Sequence, residues 1–437
     1  MASESKSSQY NRRVFLENSA RNAAGLAAGA MGLGVTSSPN ERLQIGVIGL
    51  GSQGEELTEA LSRTNMVEIV AICDVDARSL AYAQHEIANR QTSKPVAVGQ
   101  HEQLLEKSDI DAVVIATPDH WHARMTADAL LTGKDVFLET PVAHSIHDGE
   151  RLCRLAEQTD RIVQVGLPQR HGTHFQSAIQ LVQSGFLGKI HLAKAWAVHR
   201  RKSIGRCATS QPPMGVDYNR WLGPAEGRPF QENRFHQSWP WFWDFGSGEL
   251  GLWGVHHLDV IRWALKLDLP NRVVATGGKR SFKDDRETPD TLSVHYDYPD
   301  VEVVWEHRQW SNRGIEGRSS GVAFYGDAGM LVVDRSGWKV YDHRQDGHAD
   351  ASDIKNSQMS SFVKSVSSRT APVVGLRDGQ NSSSLCHLGN IAYRLGREVS
   401  FDHDRKNFGA DAEANDFLES QSRDPWRLTE EKCRTRS

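Results

Sequence analysis

Residues 43–54 read LQIGVIGLGSQG, an apolar run of strand length followed at once by a glycine-rich turn. A helical pattern of apolar residues begins directly after the last glycine. In such a unit the first glycine makes the tight turn, the second lets a pyrophosphate approach the backbone, and the third lets helix and strand pack closely. The helix N-terminus then faces the anion. This order of elements predicts a dinucleotide-binding site formed by Gly49, Gly51, Ser52, Gln53 and Gly54.

The second apolar run, residues 67–73, is followed by a carboxylate at Asp74, which lies 20 residues after Gly54. A carboxylate at this point of a dinucleotide-binding unit meets the hydroxyls of the adenosine ribose and repels a 2′-phosphate. No basic residue follows Asp74 directly, although Arg78 could reach the same region. The sequence therefore favours NAD over NADP, and the fold class leaves another nucleotide open as an alternative.

Strand and helix patterns alternate as far as residue 165. This alternation predicts an α/β fold whose first part is a doubly wound parallel sheet, a Rossmann NAD-binding domain over residues 41–168. Ligands of such sheets bind beyond the carboxyl ends of the strands. Three segments follow strand ends, and we expect them around the cofactor: residues 117–120, 139–141 and 166–171.

The second half of the chain carries a long predicted strand at residues 190–198 and several later ones. The later segments alternate apolar and polar residues, as strands with one covered face do. We expect a C-terminal substrate-binding and oligomerisation domain over residues 169–437, whose uncovered sheet face is free for a partner subunit. The later segments are residues 272–276, 291–296, 301–306, 321–325 and 330–333.

Tryptophan is concentrated in one region: six of the 12 tryptophans lie between residues 221 and 263. Residues 239–243 read WPWFW, and an extended conformation would place the three tryptophans on one side. Flat aromatic faces suit the C–H surfaces of sugars. The alternative is a packed aromatic core beneath a loop. Asp244 and Glu249 flank the cluster. Each could bind a carbohydrate, act as an acid–base group or form structural hydrogen bonds.

The composition is that of an ordinary globular protein and excludes several classes. Lys and Arg number 51 against 55 Asp and Glu, and this net charge of −4 argues against a nucleic-acid partner. Hydrophobic residues make up 38%, which excludes a polytopic membrane protein. The five cysteines form no CxxC pair, so the sequence encodes neither a disulfide framework nor a zinc finger.

Two histidine pairs have the short spacing of metal ligands, His120 with His122 and His171 with His174. A metal site needs three or four ligands, and no further His, Cys or Asp is spaced to complete one. We therefore predict no metal. A substrate contact is the better interpretation of His171, because it directly follows the last strand of the parallel sheet.

The N-terminus carries Arg12-Arg13 ahead of a weakly apolar run at residues 23–35. Paired arginines before such a run are typical of a twin-arginine export signal. The run is too short to span a bilayer, so we expect no stable membrane anchor. Residues 1–40 are interpreted as signal and linker and predict a periplasmic protein. A disordered basic tail on a cytoplasmic protein is the alternative.

Several motifs together resemble one family. GLGSQG at residues 49–54, ATPDHWHA at 116–123 and LETPV at 138–142 are similar to motifs of the glucose–fructose oxidoreductase and inositol dehydrogenase (Gfo/Idh/MocA) family, and later stretches resemble its exported branch. The resemblance implies a Rossmann domain, a second domain with a large open mixed sheet, and a homodimer or homotetramer. It also implies NAD(P)-dependent hydride transfer at a sugar, cyclitol or glycoside carbon.

The resemblance also assigns roles to individual residues. It places Thr117, Pro118 and His120 in the cofactor pocket, Glu139 beside the nicotinamide, and a cis peptide bond before Pro141. Where the family has a lysine between the glutamate and the proline, this chain has Thr140. Threonine can form a hydrogen bond to a hydroxyl but cannot supply the lysine charge that favours an alkoxide.

A second family motif contains the expected base. It corresponds to LWGVHHLD at residues 252–259, in which Leu252 replaces the first aspartate while His256 and Asp259 remain. His256 and Asp259 are three residues apart on a predicted helix over residues 251–266 and so share a face. Asp259 could then fix the tautomer of a catalytic His256, or the two could be a satisfied core pair. The predicted catalytic set is His256, Thr140 and Asp259.

Substrate contacts are expected from both parts of the chain. A polar loop after residue 198 and the aromatic cluster supply most of them. Three functions stay open: a sugar oxidoreductase, an enzyme that cleaves glycosides by transient oxidation and elimination, and a cofactor-binding protein that has lost catalysis. The predicted substrate residues are His171, Arg201, Lys202, Trp243, Asp244 and His257.

Overall fold

The N-terminal half of the chain forms a six-stranded parallel sheet in this computed structural model, which describes residues 42–342, 347–431 and 433. The strands are β1 (Leu43–Ile48), β2 (Val67–Cys73), β3 (Val96–Val98), β4 (Ala112–Ile115), β5 (Asp135–Leu138) and β6 (Val163–Val165). Their order is β3–β2–β1–β4–β5–β6, so the winding reverses between β1 and β4. This topology confirms the predicted doubly wound sheet, and such a reversal is where ligands bind.

Helices cover both faces of this sheet, which explains why β4 and β5 are buried along their whole length. Two of these helices and the short strand β3 carry patterns too weak for the sequence to predict. The helices between the strands are α1 (Ser52–Ser62), α2 (Ala77–Ala88), α3 (His101–Leu105), α4 (Asp119–Leu131) and α5 (Ile146–Glu157).

The second sheet has nine strands in the order β14–β13–β12–β11–β7–β10–β9–β8–β15. Strands β7 and β10 are parallel and the other neighbours are antiparallel, which confirms the predicted mixed sheet. Its strands are β7 (Ile190–Ala197), β8 (Arg272–Gly278), β9 (Thr291–Asp297), β10 (Glu302–Arg308), β11 (Ser320–Gly326), β12 (Gly329–Asp334), β13 (Gly337–Asp342), β14 (Gly347–Asp350) and β15 (Val399–Ser400).

The two faces of the second sheet differ sharply. The row from Val273 through Tyr296, Val303 and Phe324 is buried in the main core. On the other face Val274 is partly exposed, whereas Ala323 and Val332, further along the same row, are buried in a small separate cluster. Helices α6, α8 and α10 cover the buried face. The helices of this half are α6 (Thr173–Gln183), α7 (Tyr218–Leu222), α8 (Val255–Leu265), α9 (Ile354–Ser368), α10 (Leu376–Leu395) and α11 (Ala412–Asn415).

Helix α9 lies late in the sequence but packs on the parallel sheet. Its Met359 and Phe362 belong to the core cluster that contains Ile45 and Phe137, and the rings of Phe137 and Phe362 are 5.6 Å apart. The described residues from Leu43 onward form one unit, so the two sheets are parts of a single body.

The aromatic segment at residues 239–243 is not extended, which corrects the sequence prediction. Trp239–Trp241 is a 3-10 turn, in which the backbone amide of Trp241 donates to the carbonyl of Ser238. Pro240 favours this turn because its ring fixes φ and it has no amide hydrogen for a strand ladder. The tryptophans therefore do not share one side.

The predicted export signal lies outside the described residues. Within the described part of the chain, no helix combines the length and apolar character that crossing a membrane requires.

Candidate active site and cofactor cleft

The glycine loop has the geometry of a phosphate cradle. Gly49 has a φ of +89°, and a Cβ there would lie 2.6 Å from the carbonyl oxygen of Ala116. A Cβ on Gly54 would lie 2.0 Å from the carbonyl oxygen of Gly49, whereas Gly51 borders open space. No side chain caps the N-terminus of α1, whose free amides suit an anion. These residues fit the pyrophosphate of a dinucleotide.

Asp74 is joined to the glycine loop. Its Oδ2 accepts a hydrogen bond of 2.8 Å from the amide of Leu50, and its Oδ1 accepts one of 2.9 Å from the amide of Asp76. Burial raises the pKa of Asp74, although these two hydrogen bonds oppose the effect. The carboxylate is therefore held at the position where a ribose would meet it.

The basic residues near Asp74 are paired with Asp76. Arg78 Nη2 lies 3.1 Å from Asp76 Oδ2, and His236 Nε2 lies 3.0 Å from the same oxygen. The backbone of Val216 also forms a bridge with Asp76, so the long loop after β7 crosses this end of the parallel sheet. Both side chains therefore already have Asp76 as a partner in this arrangement.

Glu139, at the end of β5, is also joined to the glycine loop. Its Oε1 accepts a hydrogen bond of 2.9 Å from Gln53 Nε2. A Cβ on Gly166 would lie 2.6 Å from Glu139 Oε2, so the glycine leaves room for this carboxyl. Burial raises the pKa of Glu139 to about 7, against the opposing effect of Gln53. The peptide bond between Thr140 and Pro141 is cis, as the resemblance implied.

His122 connects two of the strand ends. Its Nδ1 lies 2.6 Å from the carbonyl oxygen of Pro141, and its Nε2 lies 2.9 Å from that of Thr117. The Thr117 hydroxyl is buried and has no hydrogen-bond partner among the described residues. Sequence analysis treated His122 only as a possible metal ligand, but the ring holds together two segments beside the cofactor site.

The expected pairing of His256 with Asp259 is not observed, which corrects the predicted role of Asp259. Both Asp259 oxygens accept hydrogen bonds of 2.8 Å from Arg170, and Oδ1 accepts another of 2.8 Å from Ser382. His256 Nδ1 is buried and has no partner among the described residues. Burial, and then the charge of Arg335, lowers the pKa of His256 well below its ordinary value. His256 is therefore a neutral imidazole whose Nδ1 is available.

A polar network lies beside His256. Glu249 is fully buried and accepts hydrogen bonds from Arg201 Nη2 at 2.9 Å and from His199 Nδ1 at 3.1 Å. Burial opposes the ionised form, but these two partners lower the pKa of Glu249 to about 2. The predicted substrate ligand Arg201 therefore already has a carboxylate partner. Lys202 is exposed at the surface.

Trp253 links this network to a residue that sequence analysis missed. The Trp253 ring packs against His199 and His257, with ring centroids 4.4 and 5.8 Å away. The guanidinium of Arg335, on the turn between β12 and β13, lies 4.9 Å from the Trp253 ring centroid. Arg335 lies 79 residues after His256 in the sequence and belongs to no motif that the sequence analysis used. Besides burial, the charge of Arg335 acts on the pKa values of Glu139 and His256, favouring lower values in both. Because Arg335 links them in this way, we call Gln53, Glu139, Trp253, His256 and Arg335 the cleft group.

Three predicted residues lie elsewhere, around a cavity of about 320 Å³. His120 bonds to the carbonyl oxygen of Trp221 at 3.0 Å and lines this cavity together with Trp243 and Asp244. Asp244 is paired with Arg228 at 2.5 Å. Of the predicted substrate residues, Trp243 and Asp244 therefore line this cavity, whereas His257 packs against Trp253 of the cleft group.

His171 lies at the end of β6, in the turn Pro168–His171. Its Nε2 is buried without a partner among the described residues, and burial lowers its pKa to about 4. The neighbouring His174 bonds instead to Ser352 and Asp334. Within the described ranges, no three His, Cys, Asp or Glu side chains are grouped as metal ligands.

Comparison with known proteins identifies the family. Residues 43–167 match the oxidoreductase family with an NAD-binding Rossmann fold, and residues 172–428 match its C-terminal α/β domain. The chain belongs to the Gfo/Idh/MocA oxidoreductase family. The resemblance inferred from the motifs is thereby confirmed, and the family's NAD-binding domain supports NAD as the cofactor.

Curated relatives of this Gfo/Idh/MocA protein include a glycosyl hydrolase family 109 protein of a Shewanella species, 32% identical over 210 residues, which are 46% of each chain. An α-N-acetylgalactosaminidase of Shewanella oneidensis is 28% identical over 177 residues, or 40% of this chain and 39% of that one. The chain thus spans about half the length of the curated relatives it matches.

Solved structures share the fold. Aldose–aldose oxidoreductase from Caulobacter crescentus superposes with a TM-score of 0.65 at 16% identity, covering 82% of this chain and 100% of that one.

Proposed function

We propose that this protein transfers a hydride between NAD and a carbon of a carbohydrate bound at the cleft group. One observation carries the proposal: Glu139 is hydrogen bonded to Gln53 of the glycine loop, and Arg335 lies close enough to influence both Glu139 and His256. Arg335 therefore acts electrostatically both on a residue bonded to the glycine loop and on a neutral imidazole, and we take these residues as one site.

The chain's own residues supply the proton chemistry. When bound, NAD would supply the hydride acceptor. His256 is neutral near pH 7 and its Nδ1 has no partner in the described part of the chain, so it can take the proton of the substrate hydroxyl. Thr140 is partly exposed and offers a hydroxyl that can bond to a sugar or ribose oxygen. Transfer of the hydroxyl proton to His256, and of a hydride from the carbon that bears this hydroxyl to the cofactor, would leave a carbonyl group at that carbon.

A second candidate function is redox-neutral cleavage of a glycoside. The names of the glycosyl hydrolase family 109 relatives favour it. Transient oxidation at one sugar carbon would acidify the neighbouring C–H bond, and the aglycone would leave by elimination as its protonated alcohol. Water would then add to the unsaturated ketone at the carbon that carried the aglycone, and return of the hydride to the oxidised carbon would complete the cycle. Glu139, with a pKa of about 7, is suited to accept and release a proton at neutral pH.

A panel of free sugars and p-nitrophenyl glycosides, applied to the NAD-loaded protein, tests both candidates. Stoichiometric NADH, read by absorbance, supports oxidation. Release of p-nitrophenol without net NADH supports cleavage. Retention of NAD with neither product across the panel contradicts both and favours a catalytically degenerate binding protein.

We also propose that the protein is exported through the twin-arginine route, on the basis of Arg12-Arg13. Changing both arginines to lysine should leave the protein in the cytoplasm. Cell fractionation of the two forms measures this, and equal periplasmic recovery would show that the segment is only a tail.

The open face of the second sheet supports a homodimer or homotetramer. On this face Val274 and Tyr341 are 42% and 41% exposed, on strands near opposite edges of the sheet. Light scattering should give a multiple of the chain mass, and Val274→Glu should reduce it. A monomer at micromolar concentration would contradict the proposal.

A further inference from the structure

Arg335 carries a charge that the described residues do not balance. It forms no ion pair or hydrogen bond with any of them, and its Nε is buried without a partner. Burial lowers the pKa of Arg335. A partly buried guanidinium is costly to desolvate, and the cost is recovered only when an acceptor, most effectively an anion, binds it.

Two carboxyl groups, Glu56 and Glu139, act electrostatically on Arg335, and each already has another partner. Glu56 pairs with Lys355, and Glu139 accepts its hydrogen bond from Gln53. The pKa of Glu139 near 7 also leaves that group partly neutral at physiological pH. Burial lowers the pKa of Arg335 by more than the two carboxyl groups raise it, and neither carboxyl forms an ion pair with the guanidinium. Asp334, which precedes it in the chain, is paired with Arg318.

The position of Arg335 directs it towards the substrate. Its guanidinium lies over the face of Trp253, which restricts its orientation. Trp253 is in the turn that leads into α8, three residues before His256. Other arginines of this region, such as Arg201 and Arg170, have carboxylate partners. Arg335 is the exception, and its charge also acts on the unpartnered imidazole of His256.

We propose that Arg335 binds a carboxylate on the substrate, so that the carbohydrate is an acidic sugar such as a uronic acid or its glycoside. Guanidinium and carboxylate match in shape and charge and can form two parallel hydrogen bonds. This inference rests on the proposed function, because it takes the cleft group as the substrate site. A phosphate of the dinucleotide is the other oxyanion that could reach Arg335, and the test separates the two.

The test compares matched sugars on the NAD-loaded protein. Methyl glucuronoside is compared with methyl glucoside, and methyl galacturonoside with methyl galactoside, in the wild type, Arg335→Gln and Arg335→Lys. We expect kcat/KM for the preferred uronoside to exceed that of its neutral partner by about 10- to 100-fold in the wild type. Arg335→Gln should bring this ratio close to one, mainly through KM, and Arg335→Lys should keep part of it. Arg313→Gln, at an exposed site of the same domain, is the control.

Two results would overturn the inference. One is a ratio that is the same in the wild type and in Arg335→Gln. The other is loss of NAD affinity in Arg335→Gln with an unchanged ratio, which would assign Arg335 to a cofactor phosphate. If no sugar of the panel is turned over, the proposed function fails separately, and calorimetric binding of the same four glycosides still decides whether Arg335 selects a carboxylate.

Discussion

Arg170 donates two parallel hydrogen bonds, each 2.8 Å long, to the two carboxylate oxygens of Asp259. The pair joins the turn after β6 to the middle of α8, and Asp259 is fully buried. The residue that looked like the partner of a catalytic histidine thus holds the parallel sheet to the helix that carries that histidine.

Asp259→Asn is expected to act on stability. It removes the charge that compensates Arg170, and breaking a buried ion pair costs about 3–5 kcal/mol. Urea unfolding of the wild type and the variant measures this loss. Asp378→Asn is the matched control, because Asp378 is a half-exposed second partner of Arg170. A stable Asp259→Asn protein with greatly reduced kcat would restore the catalytic interpretation of Asp259.

Asp74 is expected to select NAD. Asp74→Ala removes an acceptor for the ribose and also the bond to the amide of Leu50, so NAD affinity should fall by about 10- to 100-fold. NADP affinity should fall less, because the repulsion of its 2′-phosphate is also removed. Fluorescence titration with both reduced cofactors measures the two changes. A wild type that prefers NADPH would contradict the role given to Asp74.

Glu139 is expected to make cofactor binding depend on pH. Burial raises its pKa from 4.5 to about 7, so the ionised form is disfavoured in the folded protein, and its contribution to stability is lost as the pH rises through this range. The nicotinamide ring carries a positive charge only when oxidised. Affinity for NAD⁺ relative to NADH should therefore increase, by roughly 10-fold, as the pH rises through 7.

Glu139→Gln tests this dependence, since it keeps a hydrogen-bonding group but cannot ionise. The NAD⁺-to-NADH affinity ratio should become flat between pH 6 and about 8. A variant with the wild-type pH profile would assign the titration to another group.

His256→Ala is expected to lower turnover by about 10²–10⁴-fold, the usual contribution of general acid–base catalysis. NAD content should stay unchanged, because no contact joins His256 to the glycine loop within the described structure. His257→Ala is the comparison variant: His257 Nδ1 is hydrogen bonded to the carbonyl oxygen of Trp253 rather than free. Wild-type turnover of His256→Ala on the true substrate would make His171 the next candidate base.

The parts of the fold that sequence predicts well depend on local patterns. The strand, glycine turn and helix at residues 43–62 specify one another over a short distance, and β8 and β9 show their one covered face by alternation. The segment at residues 239–243 shows the limit of alternation, because Pro240 and the amide of Trp241 form a turn instead. Helix α9 could not be assigned to the parallel sheet, since its contacts depend on chain positions far away.

The residues of the candidate site also differ in how far the sequence predicts them. Gly49, Gly54 and Asp74 are recognisable because cofactor binding requires them at fixed spacings. The partner of Asp259 could not be predicted. The sequence shows that His256 lies three residues away on the same helix, but it does not show that the fold brings Arg170, 89 residues away, into contact with Asp259. Arg335 was missed for a related reason. An isolated arginine on a turn has no sequence signature, and its importance follows only from the lack of a partner in three dimensions.

Hydride transfer at the cleft is the central claim, and a single-turnover experiment tests it most directly. Protein loaded with NAD⁺ is mixed with an active sugar or glycoside, either unlabelled or deuterated at the oxidised carbon, and absorbance at about 340 nm follows the nicotinamide. The account predicts a transient or lasting rise that is slower with the deuterated substrate and strongly reduced in His256→Ala. Product formation with no absorbance change and no isotope effect would contradict it.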